Sequence, residues 1–413
     1  MQDSHQSDHS ASASEVTSEI EPSVSASGQG NQNSVGKAAD PPWSSEPFRA
    51  FFPLGLAAAI LGTAIWPLFH AGWWHSPLPV QHPRLMIFGF GGAFVVGFLG
   101  TAWPRMVEAQ PMRTWELSFL AASWFIAQVT WLMNQYHVGD IAMAIHLLAL
   151  ILFLFHRAKI GTDQPPASLW MAVLGPVLGA TAIGLSLSGM VNTSGLAFHL
   201  SRLFGWQGML LLPLLGVGAF FFPRFFPESQ RKTAAARRPF MGLIATALIG
   251  SFFLEAAGWV RCGNGLRFGT VLVWALRTCP ALLSGSAPST RAWALRFGLG
   301  SIALSFLIRA VWPGPGYAME HLMFISGFGL ALALVAERVT LGHSDQAPRP
   351  EEKSTIWKWL AWLLLVAATT RMSADMKASL IKSHHIYAAL IWIGVLVAWA
   401  SPLLRHWRSR PSA

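Results

Sequence analysis

Apolar stretches follow one another from residue 48 almost to the C-terminus, with short polar links between them. Most are long enough to cross about 30 Å of hydrocarbon. In order they are 48–69, 85–103, 115–133, 138–155, 168–190, 196–222, 240–260, 266–283, 294–312, 317–339, the shorter 356–370, and 385–404. Gly and Pro occur inside many of them. In a bilayer that is tolerable, because small residues let helices approach and neighbours satisfy backbone groups that Pro frees. Gly89, Gly91, Gly92 and Gly97 read as such a packing surface. The pattern predicts an all-α fold, a polytopic integral membrane helical bundle of about twelve transmembrane helices over 48–404. Residues 1–47 are rich in Ser, Gln, Gly and acidic side chains, without an apolar run or the basic start of a signal peptide. They read as a disordered cytoplasmic tail, and 405–413 as a basic cytoplasmic tail.

Composition agrees. Of 413 residues, 53% are hydrophobic and 12% charged, about half the charged share of a soluble domain. The lipid bilayer is the partner this implies. The net charge of +10 is gathered in short links, so it reads as topology and no nucleic-acid partner is expected. Links after even-numbered segments hold fourteen Lys and Arg, from Arg105 to Lys353. The opposite links hold six: Arg84, Arg261, Arg267, Arg371, Lys377 and Lys382. This asymmetry puts both termini in the cytoplasm. Cys262 and Cys279 form no Cys-x-x-Cys; on one helix they would stand about 25 Å apart, beyond disulfide reach.

The histidines then acquire depths. His82, His199, His321 and the pair His384/His385 lie at or just inside the outer ends of segments two, six, ten and twelve. His70, His75 and His137 fall on the same side. One imidazole at a helix end is ordinarily an interfacial residue. Four at one level point to a metal or haem site built from facing helices. His82, His321 and His199 are the expected metal ligands, with His385 as a further haem-binding candidate. Arg202 follows His199 by one turn, and Arg309 sits near the outer end of segment nine. Both are expected to bind haem propionates, which a guanidinium fork suits. The alternative is that Arg309 reaches the surface and Glu255, in segment seven, pairs with an arginine. His146, in the middle of segment four, reads as a buried hydrogen-bonded residue.

Two blocks resemble the NnrS family. One is His321-Leu-Met-Phe-Ile-Ser-Gly-Phe-Gly329 with Arg338, Gly342 and His343 behind it, where Ser326 stands in place of a usual glycine. The other is Met86-Ile-Phe-Gly-Phe90 with the Gly97-Phe-Leu-Gly-Thr-Ala-Trp-Pro104 run, similar to the family's His-x-His-Glu-Met block and the Gly-Phe-Leu-x-Thr-Ala run behind it. His82 takes the place of the first histidine of that block and His321 that of the late one. Arg84 replaces the second histidine and Leu85 the glutamate.

The resemblance implies a haem- and copper-containing protein of the bacterial inner membrane, acting in the response to nitric oxide and nitrosative stress. With one imidazole and its carboxylate replaced, copper is not assumed. Ferrous haem on an imidazole would bind nitric oxide in a pocket whose polarity tunes the affinity. The chain has no Cys-x-x-Cys-His, iron–sulfur spacing or nucleotide-binding glycine loop. A redox role would therefore need an external electron donor, and binding, sensing or protection is favoured over self-contained catalysis. The alternatives are a secondary transporter of a small solute and a haem-dependent NO or oxygen reductase. The absence of an obvious repeat between the two halves argues against the transporter, and Arg84 argues against the reductase.

Overall fold

A computed structural model of the chain describes residues 46–227, 238–283, 285, 287–314, 316–344 and 354–408. The 1–47 tail and the end of the 405–413 tail thus fall almost wholly outside the described residues. Among the described residues there are helices and no strands. Nine helices are long and apolar enough to cross a membrane: α1 (Phe48–His70), α2 (Leu78–Met106), α4 (Tyr136–Ile160), α5 (Ala167–Leu187), α6 (Gly195–Phe225), α7 (Arg238–Ala256), α9 (Thr290–Val311), α10 (Tyr317–Gly342) and α12 (Ala378–Ala400). Three more have similar length: α3 (Thr114–Leu132), α8 (Val260–Thr278) and α11 (Ile356–Met376). These three coincide with predicted segments three, eight and eleven. Their sequences are more polar, with Glu116 in α3, Arg261, Arg267 and Arg277 in α8, and Lys358, Arg371 and Asp375 in α11. A count of nine candidate spans among the described residues therefore stands beside the expectation of about twelve.

Consecutive long helices pack side by side through most of the chain, and α12 returns against α1. Of the candidate spans, α2, α6 and α10 are the most enclosed, with 89, 78 and 67% of their apolar windows buried. These three touch one another at the centre of the bundle. Around it, Leu152, Phe125, Leu243 and Leu390 are exposed on the helices that face outward, the apolar belt that a bilayer covers.

Each central helix widens into a π-helical stretch near its start: Arg84–Gly91 in α2, Leu203–Gly208 in α6 and Leu322–Phe328 in α10. Each stretch begins one to four residues after a histidine (His82, His199, His321) and includes a glycine. The recurrence is three-fold, one central helix in every four, so comparing the two halves of the chain does not reveal it. π-Helical turns are rare and concentrate at functional sites.

Close approach at the centre depends on missing side chains. A Cβ at Gly91 would lie 2.5 Å from Leu210 Cδ2. Gly91→Leu is expected to separate α2 from α6 at a cost of about 1–3 kcal/mol, read as a lower thermal-unfolding midpoint in detergent. Gly250→Ala is the control, since its added Cβ meets nothing within 4 Å; a similar loss there would show that the packing argument is wrong.

Several arginines that the link count assigned to loops are structural. Arg84 Nε and Nη2 donate to the two oxygens of Asp140 at 2.9 and 2.8 Å. Asp140 also accepts from Trp131 Nε1 at 2.9 Å and Ser186 Oγ at 3.3 Å, tying α2, α3, α4 and α5 together. Arg157, at the other end of α4, is buried against Glu116 at 2.5 Å. At that same end Glu46 pairs with Arg49 and Arg105. His343 donates from Nδ1 to Val339 O at 2.7 Å and packs on Phe48. Trp407, in the short helix α13 (Leu404–Arg408), donates to Thr340 Oγ1 at 2.9 Å. The Gly342-His343 pair thus belongs to the seam between α1, α10 and α13.

Candidate functional site

At the opposite end, a cavity of about 290 Å³ opens between α1, α2, α10, α11 and α12, with Trp206 and Leu210 of α6 closing its back. The topology brings six polar or aromatic side chains to its mouth: Trp66, His82, Glu320, His321, Arg371 and His385. Deeper in, the wall is apolar, with Phe90, Phe324, Phe328 and Trp392. The cavity owes its shape to the π-helical stretches, since Met86, Ile87, Phe90, Phe324, Ile325 and Phe328 all lie in them and face it.

Two of the imidazoles share one device. His82 Nδ1 is 2.8 Å from Gly62 O, and His321 Nδ1 is 3.1 Å from Tyr317 O. A carbonyl oxygen only accepts, so in both rings Nδ1 carries the proton and the Nε2 lone pair is left available. Among the described residues neither Nε2 has a hydrogen bond. This anchoring through the second nitrogen is what orients a metal-ligating imidazole. His385 is buried beside them, its Nδ1 3.3 Å from His70 Nε2. Its Nε2 lacks a hydrogen-bond partner and lies 3.9 Å from Asp375 Oδ1. The Trp66 indole stands between the rings, with centroids 4.2 Å from His385 and 5.7 Å from His82.

Not every expected residue joins them. His199 lies outside the cavity lining, half-buried, with its ring against Phe198. Arg202 and Arg309 are buried, but in an ion cluster behind the cavity. Arg202 reaches Glu320 at 3.0 Å and Glu255 at 3.5 Å. Arg309 pairs with Glu255 at 2.8 Å and with Glu320. Arg267, wholly buried, joins through Glu255, Gln207 at 2.6 Å and Ser251 Oγ at 3.0 Å. The expectation that Arg202 and Arg309 bind propionates thus meets forks already filled by protein carboxylates. The alternative, Glu255 paired with arginine, is what is present. His146 is buried and bonded to Leu120 O at 2.9 Å and Ser123 Oγ at 3.2 Å. His75 and His137 are exposed, His384 bonds Ser373 Oγ at 2.7 Å, and both cysteines are free.

Sequence reasoning passed over Glu320, Trp66, Arg371 and Asp375, and placed His70 on the same side without assigning it to the site. Glu320 had a signal, being a carboxylate inside an apolar segment and next to His321. Arg371 lies one residue past the predicted end of segment eleven and was therefore counted with the links.

Enclosed central helices that deliver imidazoles from separate spans to one apolar cavity define a polytopic helical membrane protein with a candidate ligand site at one end. The chain belongs to the NnrS family, described as NnrS protein, whose model matches residues 42–409. Among curated proteins none matches it. At the two positions where the resemblance leads one to expect a histidine and a glutamate, Arg84 is held by Asp140 and Leu85 is buried with Ile65 and Leu78.

Proposed function

We propose that the chain is a haem-binding protein of the bacterial inner membrane, with His82 and His321 as iron ligands, that acts in the response to nitric oxide. The observation that carries this is the matched anchoring of the two imidazoles, each with Nδ1 fixed on a carbonyl and Nε2 free at one cavity. The residues present fit a porphyrin in kind, because the wall beyond the imidazoles is aromatic and aliphatic. When bound, ferrous haem supplies an iron coordination site for nitric oxide. The chain's own part is to hold two neutral imidazoles, to supply the apolar wall and to place Trp66 against the rings. Copper is left out of this reading, since the side chain at 84 is a guanidinium engaged with Asp140. Among the described residues no group of three or more His, Cys, Asp or Glu is placed to hold a metal ion. Electrons for any redox role would come from a separate donor.

The test is the absorption spectrum of the purified protein. A Soret band that sharpens with dithionite and shifts on adding nitric oxide is the expected result. A protein expressed with ample haem that shows no such band would end this reading, and saturable solute uptake in proteoliposomes would then favour a transporter.

A further inference from the structure

We propose that Arg371 is the group through which the cavity recognises the carboxylate of an amphipathic ligand, so that the acid groups of a bound haem lie beside Arg371. This rests on the haem reading above, and it moves the recognition away from Arg202 and Arg309.

Three guanidinium groups lie in or just behind the cavity wall, and their bonding separates them. Arg202 and Arg309 each touch both Glu255 and Glu320. Those two carboxylates are 6 and 2% exposed. A ligand acid that took either arginine would leave a protein carboxylate buried and short of its partner, which is strongly unfavourable. Arg371 is different. It lines the cavity, its side chain is 14% exposed, and both its Nε and its Nη1 have no hydrogen bond among the described residues, whereas Arg202 and Arg309 each lack one at Nε alone. Its acidic neighbour Asp375 approaches Nη1 to 2.7 Å, out of line for a hydrogen bond, and is 34% exposed. An ion pair with one partner partly exposed is weaker than the fully buried pairs of Glu255 and Glu320. It yields to a better-aligned acid at little cost.

Buried N–H donors without acceptors are unfavourable, and a planar guanidinium matches a carboxylate with two parallel bonds. Arg371 is also held in place, with its guanidinium carbon 5.5 Å from the Trp66 ring centroid. The charge pattern along the cavity supports the same ligand orientation. The other acid at the mouth, Glu320, is neutralised by Arg202 and Arg309, and the deeper wall is apolar. A ligand with an apolar body and one acidic edge fits in one direction only, with its edge at Arg371.

The experiment compares protohaem with its dimethyl ester, which lacks the acid groups, in the full-length protein. Each is loaded, and its loss to an excess of a haem-scavenging apoprotein is timed. The wild-type protein is expected to hold the free acid roughly tenfold longer than the ester, the factor for one charge-assisted pair. Arg371→Gln should bring the two rates together while leaving the position of the Soret band unchanged, since the imidazoles are intact. Arg371→Lys should restore part of the preference. Equal rates in the wild type, or a preference that survives in Arg371→Gln, would overturn this assignment and leave the haem reading standing. Failure of the wild type to take up either porphyrin would remove both.

Discussion

Glu255→Ala is expected to destabilise the bundle by about 3–5 kcal/mol, as much as truncation of a large apolar core residue, with a matching fall in yield and thermal midpoint in detergent. The reason lies in how many guanidinium groups meet this one carboxylate. Glu255 Oε1 contacts Arg309 at 2.8 Å and Arg202 at 3.5 Å, while Oε2 contacts Arg267. Asn264 donates to the same Oε2 at 3.1 Å. Three guanidinium charges face two carboxylates, so the cluster already holds one net positive charge within the bundle. Removing Glu255 leaves three against one. Arg267, with no exposed surface, would then keep only neutral partners. Because α6, α7, α8, α9 and α10 each contribute a member, the damage is not confined to one helix pair. Glu255→Gln preserves size and one of the two acceptor oxygens, so packing is kept while the charge is removed; it should still lose most of the stability. If Glu255→Gln behaves like wild type, the cluster is not held by charge and the argument fails.

The bilayer-spanning architecture was legible because apolar length is written directly in the chain. Depth was legible too: His82, His321 and His385 were placed at one level, and they meet at one cavity. Rotation about the helix axis was not. His199 was expected at the same level, yet its ring lies outside the cavity lining, against Phe198. Each π-helical stretch inserts an extra residue per turn, so facing directions extrapolated at 100° per residue fail across residues 84–91, 203–208 and 322–328. Charges at segment borders were the other blind spot. Arg267 and Arg371 stand at the edges of predicted segments, where a loop charge and a buried ion have the same local sequence. Only the packing of Ser251, Gln207 and Glu255 around Arg267 distinguishes them. Glu320 was within reach of sequence reasoning, since a carboxylate amid apolar residues needs a partner, and Arg202 and Arg309 were available.

His82→Ala and His321→Ala are expected to change the haem spectrum as His199→Ala does not, and the contrast tests the site more sharply than any single variant. His82 and His321 would both hold the iron when haem is bound, so either imidazole would compete with nitric oxide for it. Loss of either imidazole should yield a five-coordinate, high-spin spectrum and faster nitric oxide binding, and loss of both should leave no retained haem. His199→Ala should retain the wild-type spectrum, because that ring lies outside the cavity lining. His385→Ala is the informative fourth variant. Its ring is bonded to His70 and packed on Trp66, so its loss should loosen the cavity mouth and speed haem release without changing the coordination number. The assignment of His82 and His321 rests on their carbonyl anchors, Gly62 O and Tyr317 O. A high-spin spectrum in His385→Ala together with an unaltered one in His82→Ala would transfer the ligand role to His385.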